Sequence, residues 1–309
     1  MQRFALVSAL FFMLFAVPAH AAPKVVASIA PLAGIAAAVM QGAGEPDLLI
    51  TNNASPHTYQ LKPSDAQKLA QAQIVLWVGE GLESFLATRL AALAPKATQF
   101  EVLEIEGLHK LETRTRHHEE HEEDEHAAAD EEAHHDHGRY DPHVWLNPKN
   151  AIVIAQALAA ALATLDPDNA ALYKQNAEAF ARDTTKLDDE LRQMLHPLAS
   201  RGYVVFHDAY QYFGQHYGLK ESGVIALNPE VPVAPRHLAA LQKDMREQNI
   251  ACVFAEPQFS SGLVSTLVAG TGAKAGVLNP DASDMAVSAG LYAAYMRRLA
   301  GAFAACLTP

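Results

Sequence analysis

Three histidines follow predicted β-strands or the acidic segment in mid-chain, at positions where they could meet around one ligand. His57 lies in the loop after the second predicted strand, His207 ends the first strand of the second half, and His143 follows the acidic segment. In open parallel sheets, ligands bind beyond the carboxyl ends of the strands. Three neutral imidazoles bind zinc at about 2.0–2.1 Å and leave one tetrahedral position for a further group. The gaps of 86 and 64 residues match no local metal motif, so an ordinary hydrogen-bonded loop histidine is the alternative for each.

Polar residues near the same sheet edge are candidates for the fourth ligand. Glu256 follows one predicted strand of the second half, and Asn279 and Asp281 follow the next. Each could bind the metal directly or accept a hydrogen bond from the far nitrogen of a ligating histidine. Asp208, beside His207, is expected to cap the following helix rather than to bind metal. The other histidines outside the acidic segment are expected at the solvated surface; they are His109, His196, His216 and His237.

The segment from His117 to His137 combines ten carboxylates and seven histidines with no lysine or arginine. It carries most of the net charge of −12, because the rest of the chain has 25 acidic and 23 basic side chains. It has no apolar residue larger than alanine, so we expect a mobile surface loop, within a longer loop over 112–139. Imidazoles and carboxylates suit weak, multiple metal binding, and a merely solvated acidic loop is the alternative. The predicted secondary metal ligands are His117, His118, His121, His126, His134, His135 and His137.

Composition excludes two broad classes of protein. Half of the 309 residues are hydrophobic, which is too many for a disordered chain. A net charge of −12 excludes a nucleic-acid-binding protein that works by neutralising phosphates, since no basic face could be spared. At roughly 150 residues per domain, this length predicts about two domains.

The first 21 residues have the features of a secretory signal peptide. Arg3 supplies a positive start, residues 5–17 are an apolar run with a single serine, Ser8, and Ala19 and Ala21 stand at the cleavage positions. We therefore expect export and a mature chain that begins at Ala22. No cysteine follows the apolar run, so a bacterial lipid anchor is not expected.

Only two cysteines are present, Cys252 and Cys306. An exported chain meets an oxidising environment, which favours a disulfide between them. Their spacing does not establish that they are close in space, so two buried thiols are the alternative.

The mature chain alternates short β-rich runs with helical patterns, which is typical of parallel α/β structure. The predicted strands are 25–30, 47–51, 74–79 and 100–105 in the first half, and 203–206, 223–227, 252–255 and 275–278 in the second. An apolar run over 151–163 is too short to span a membrane and predicts a buried helix. Residues 166–196 predict a rigid helix about 45 Å long. It joins an N-terminal α/β lobe, 22–165, to a C-terminal α/β lobe, 197–309, with four parallel strands predicted in each.

Four stretches of sequence together resemble a known family. They are SPHTYQLKPSD at 55–65, DPHVWLNP at 141–148, FHDAY at 206–210 and VFAEPQF at 253–259. In this order they resemble the cluster A-I solute-binding proteins of bacterial metal ABC transporters, and most of all the zinc-specific periplasmic members. The resemblance covers nearly all of the mature chain.

The resemblance implies two α/β lobes joined by one long helix, with the metal in the cleft between them. It implies that His57, His143 and His207 bind the metal, and that the His-rich loop and a Cys252–Cys306 disulfide are those of the zinc members.

Two positions depart from the family pattern. Pro56 stands where some zinc members have glutamate, and Asn279 stands where many relatives have aspartate as the last ligand. The fourth ligand therefore stays open between water, Asp281 and Glu256. The manganese members have glutamate at the position of His207, and three imidazoles suit zinc better than manganese.

The sequence therefore predicts a monomeric, non-enzymatic periplasmic protein that binds Zn²⁺ with high affinity. It would deliver the ion to an inner-membrane ABC permease with a cytoplasmic ATPase. The alternative is an exported zinc hydrolase, because zinc with an open fourth position can lower the pKa of a bound water to about 7. No glutamate stands beside a ligand as in His-Glu-x-x-His, which disfavours the hydrolase. A metal-dependent surface adhesin is a third possibility, disfavoured because no lipid anchor is expected.

Overall fold

A computed structural model describes residues 22–114, 138–229 and 231–309 of the chain. The predicted signal peptide lies outside these ranges. So do the seven histidines of the predicted metal-binding loop, although the stems of that loop are described.

The first lobe contains a four-stranded parallel sheet. Its elements are β1 (Val25–Ala27), α1 (Ala30–Val39), β2 (Asp47–Leu48), α2 (Pro63–Gln71), β3 (Ile74–Trp77), α3 (Ser84–Ala87), α4 (Leu90–Leu93), β4 (Thr98–Glu101) and α5 (Pro148–Leu165). The strand order is β2-β1-β3-β4. All four residues of β3 are buried, as expected of a central strand with helices on both faces.

The second lobe repeats this arrangement. Its elements are β5 (Tyr203–His207), α7 (Gln211–Tyr217), β6 (Glu221–Ala226), α8 (Pro235–Glu247), β7 (Cys252–Ala255), α9 (Gly262–Val268), β8 (Lys274–Val277) and α10 (Leu291–Leu307), and α6 (Ala170–Leu195) precedes them. The strand order is β6-β5-β7-β8, and all pairs are parallel. The predicted class, two four-stranded parallel α/β lobes, is confirmed.

The long helix α6 is shorter than the predicted helix over 166–196. Short 3₁₀ turns, Pro167–Asn169 and His196–Leu198, replace its two ends. Its buried side chains recur every three or four residues and form a single apolar stripe; they are Tyr173, Ala177, Phe180, Thr184, Leu187, Leu191 and Leu195. The stripe packs against α5, α1 and α10, so the connector is part of the core. The lobe boundaries at 165/166 and 196/197 stay a prediction.

Some local predictions need correction. The strand predicted at 100–105 ends at Glu101, because Val102–Glu104 turns into a 3₁₀ helix. Between β3 and β4 the chain forms two short helices, α3 and α4. Among the described helices, α5 alone is long and apolar enough to cross a membrane by length and composition. Its buried face packs on α6 and α1, in agreement with the predicted buried helix.

A disulfide joins β7 to α10. Cys252 and Cys306 are bonded, with their Cα atoms 6.0 Å apart, which is within the usual range. The predicted disulfide is confirmed, and it fixes the C-terminal helix to the second sheet.

The two lobes are also tied to each other beside the cleft. The Trp145 indole donates to the carbonyl of Pro280 at 2.9 Å, and the Tyr292 hydroxyl donates to the carbonyl of Trp145 at 2.9 Å. The Tyr212 hydroxyl donates to the carbonyl of Asp141 at 3.0 Å. The largest buried apolar cluster includes strands of both sheets together with α6 and α10. The lobes therefore share one continuous core.

Candidate metal centre

Three imidazoles from distant parts of the chain meet between the two sheets. The ring centroids of His143 and His207 are 5.3 Å apart, and that of His57 lies 5.7 Å and 5.6 Å from them. One nitrogen of each ring lies within 4.8 Å of the other two. In the described part of the chain, this is the only such group of three or more histidine, cysteine or acidic side chains.

Two of the three histidines lie next to the ends of structural elements, and the third lies in a loop. His207 is the last residue of β5, and His57 lies in the loop between β2 and α2. His143 directly precedes a 3₁₀ turn that leads into α5. The Asn147 side chain caps the first turn of α5 by accepting a hydrogen bond from the amide of Lys149 at 3.0 Å. His143 and His207 are buried, and His57 is half-buried.

A carboxylate lies behind each of the two buried imidazoles. Asp141 Oδ1 is 2.8 Å from Nδ1 of His143, and the Glu256 oxygens are 2.8 and 2.9 Å from Nδ1 of His207. An ionised carboxylate only accepts hydrogen bonds, so each Nδ1 carries the proton and donates it. Each Nε2 is then left with a lone pair directed away from its carboxylate.

The two Nε2 atoms face each other at 3.4 Å. Bonds of 2.0–2.1 Å to one tetrahedral zinc would separate two ligand nitrogens by about 3.3 Å. Two buried lone pairs at this distance repel each other unless a proton or a metal ion lies between them. Burial lowers the pKa of His207, but the charge of Glu256 and its hydrogen bond outweigh burial and raise it. The arrangement therefore favours a cation between the two rings.

The start of α7 supports both carboxylates. The Tyr210 hydroxyl donates to Glu256 Oε1 at 3.1 Å, and the Gln211 amide donates to Asp141 Oδ2 at 3.1 Å. Such outer contacts fix the tautomer and the orientation of a ligating imidazole. The role of Asp141 was not predicted from the sequence. Its position two residues before His143 could have indicated this role, because an aspartate side chain often bonds the backbone amide two residues further on. Asp141 Oδ1 does accept from the backbone amide of His143, at 2.9 Å.

The two carboxylates considered as a fourth ligand make other contacts. Glu256 is bonded to His207 and Tyr210. Asp281 Oδ1 accepts from the Gln258 amide and from the backbone amide of Ser283, both at 3.0 Å. Burial raises the pKa of Asp281. Neither carboxylate belongs to the group of mutually close ligand atoms.

Two expectations about nearby residues are wrong. Asp208 does not cap α7, because this helix begins at Gln211 and its N-cap is Tyr210. Asp208 instead pairs with Arg114 at 2.8 Å, and burial raises its pKa to about 7 although the charge of Arg114 opposes the shift. His216 is not at the solvated surface: its side chain is 7% exposed and bonds Asp188 at 2.7 Å.

The stems of the His-rich loop lie at the mouth of the cleft. Glu112 and Tyr140 form an isolated antiparallel bridge, and the Thr113 hydroxyl donates to the carbonyl of Gly138 at 2.8 Å. Thr113 and Tyr140 line the same cavity as the three histidines. Arg114, the last residue described before the gap, also lines it and pairs with Asp208 and Glu221 of the second lobe.

Two parallel α/β lobes with a shared core and a polar cleft form the fold of a two-lobed solute-binding protein. The sequence profile of the family described as "ZnuA: Zinc-uptake complex component A periplasmic" matches residues 25–306, and the chain belongs to this family.

Similar proteins cover almost the whole chain. The high-affinity zinc uptake system protein ZnuA of Brucella suis is 36% identical in an alignment 305 positions long, which covers 92% of this chain and 91% of that protein. A crystal structure of ZnuA is 27% identical, with a TM-score of 0.77, and covers 93% of this chain and all of that chain. A zinc-bound ZnuA deletion mutant, also 27% identical, has a TM-score of 0.75 and covers 93% of this chain and 99% of that chain.

Proposed function

We propose that this protein is the periplasmic zinc-binding component of an ABC importer, and that His57, His143 and His207 bind the transported Zn²⁺. The observation that carries the proposal is the pair of Nε2 atoms 3.4 Å apart, each on a ring whose Nδ1 is engaged by a carboxylate. Carboxylate, histidine and zinc in series are a recurring arrangement in zinc proteins. The names of the relatives supply the transport role.

The proposal includes the partners and the location. A signal peptide over residues 1–21 would direct export, and an inner-membrane permease with a cytoplasmic ATPase would receive the ion from a monomeric binding protein. The names of the family and of the relatives as a periplasmic zinc-uptake component support both statements.

The alternative of a zinc hydrolase has less support. A hydrolase needs a base that can take a proton from a metal-bound water. Asp141 and Glu256 are the carboxylates in contact with the histidines, and both accept hydrogen bonds from the imidazoles themselves. We therefore expect the zinc-loaded protein to release no product from ester or peptide substrates. Zinc-dependent turnover that His143→Ala abolishes would favour the hydrolase instead.

Substituting one imidazole tests the site directly. His143→Ala removes one of three protein ligands and leaves Asp141 buried beside a void, so zinc affinity should fall more than tenfold, or about 1.4 kcal/mol. A chelator competition assay measures the change. His196→Ala is the matched control, because His196 is exposed at the end of α6, and it should bind zinc like the parent. If His143→Ala also titrates like the parent, the ligand assignment is wrong.

Deleting residues 117–137 tests whether the tight zinc site is built by the cleft alone and the additional zinc is bound by the loop. The stems are already joined by the Thr113–Gly138 hydrogen bond, so a short linker should close the gap without disturbing the cleft. We expect the tight site to keep its affinity while the total zinc bound per chain falls, as measured by metal analysis after dialysis. Loss of the tight site would mean that the loop supplies a ligand.

A further inference from the structure

Gln258 lines the same small cavity as the three histidines. It lies in the loop after β7, two residues beyond Glu256. Its Nε2 donates to Asn279 Oδ1 at 3.1 Å and to Asp281 Oδ1 at 3.0 Å. Because both partners are acceptors, the amide must direct its NH₂ group toward them, and its Oε1 faces away from them.

A second amide fixes this orientation. The Nδ2 of Asn279 donates to Asp284 Oδ1 at 2.8 Å. Asp284 in turn is held by the guanidinium of Arg298 through contacts of 2.6 and 2.7 Å. Asn279 must therefore turn its oxygen toward Gln258. The ion pair of Asp284 and Arg298 therefore sets the orientation of both side-chain amides. Without it, the nitrogen and oxygen of each amide could be exchanged with little change in the hydrogen bonds.

The Oε1 atom of Gln258 is buried and has no hydrogen-bond partner among the described residues. A buried carbonyl without a donor costs about 1–3 kcal/mol. The Nδ1 protons of His143 and His207 are already donated to Asp141 and Glu256, and the carboxylates that line this cavity are acceptors. A water molecule can satisfy this oxygen, because water brings two protons and a lone pair for the metal.

We propose that Gln258 Oε1 accepts a hydrogen bond from a water molecule that occupies the fourth coordination position of the bound Zn²⁺. The inference rests on the proposed function. It makes Gln258 a positioning residue, which holds the water and does not touch the metal. It also predicts that water is preferred over anions at this coordination position. A carbonyl oxygen attracts a hydrogen-bond donor and repels an anion such as chloride or thiocyanate.

Two variants separate the acceptor from the rest of the side chain. Gln258→Leu keeps a similar volume and removes the acceptor, so zinc affinity should fall about tenfold, as is common when an outer partner is lost. Gln258→Glu keeps an acceptor oxygen but loses the NH₂ group that ties Asn279 and Asp281. It should bind zinc at least as tightly as the parent at pH 7.5. If the amide served only to tie the loop, both variants would bind more weakly.

Cobalt gives a second readout. In the Co²⁺ form, the visible spectrum reports coordination, and added thiocyanate should change the spectrum of Gln258→Leu at a lower concentration than that of the parent. Gln242→Leu is the matched control, since among the described residues its amide donates to the carbonyls of Thr266 and Ala269, in and just after α9.

The outcomes are distinguishable. A parent that does not bind zinc in the cleft overturns the proposed function and this inference with it. A parent that binds tightly while Gln258→Leu binds equally well overturns only the role of Gln258. Weak binding by Gln258→Glu overturns it too, and this result decides the matter even if Gln258→Leu does not fold.

Discussion

Zinc affinity at the cleft should fall about a thousandfold between pH 7.5 and pH 5.5. An imidazole must be neutral to bind metal, and its free pKa is about 6.5. The neutral fraction of a free imidazole falls about tenfold between these two pH values, to about one in eleven at pH 5.5. Because three imidazoles must all be neutral, the three tenfold losses multiply. A site held by carboxylates, with free pKa values near 4, would lose little affinity over this range.

The sign of the shift at His207 sharpens this expectation. Glu256 raises the pKa of His207 above its ordinary value, so protons begin to compete with the metal at a higher pH than for a free imidazole. The measurement is the zinc dissociation constant at half-unit steps of pH. It requires the chain without residues 117–137, because seven further histidines would titrate in the same interval. A nearly flat profile would make Glu256 and Asp281 the principal metal-holding groups.

Reducing the disulfide should lower the free energy of unfolding by about 4 kcal/mol. Cys252 and Cys306 are separated by 54 residues, and opening a loop of this size restores conformational entropy to the unfolded chain. Urea unfolding of the metal-free protein, oxidised and reduced, compares the two states of one sequence. Cys252→Ala/Cys306→Ala should unfold like the reduced protein in both conditions. Equal midpoints for the oxidised and reduced chains would contradict the expectation.

The two parallel sheets could be predicted from the sequence because their strands are short-range apolar patterns, and the choice of these three histidines as ligands came from the family resemblance. Apolar runs mark the strands, and the rule that parallel strands present ligands at their carboxyl ends leads to His57 and His207. His143 does not follow a predicted strand, so its identification also depended on the surrounding stretch DPHVWLNP. The expected compartment favoured the disulfide, and the family resemblance implied it.

The contacts that orient these histidines could not be predicted in the same way. Gln211 reaches Asp141 across 70 residues of chain, and Gln258 meets Asn279 across 21, so neither contact has a local pattern. The cap expected at Asp208 failed because α7 begins later than its apolar pattern suggests, and Arg114 provides a stronger partner for a buried carboxylate.

The hydrogen bonds that tie the lobes together beside the cleft should affect the rate at which zinc binds. Trp145 and Asp141 flank His143 and are held by Pro280 and Tyr212 of the second lobe. The ligands from the two lobes already lie together in this structure, so we expect capture without a hinge closure. Conformational change is a common reason for slow association, so encounter and loss of bound water should set the rate here. The empty and the zinc-loaded protein would then present nearly the same shape to a permease. The permease would have to distinguish them by the two positive charges of the ion at the bottom of the cleft.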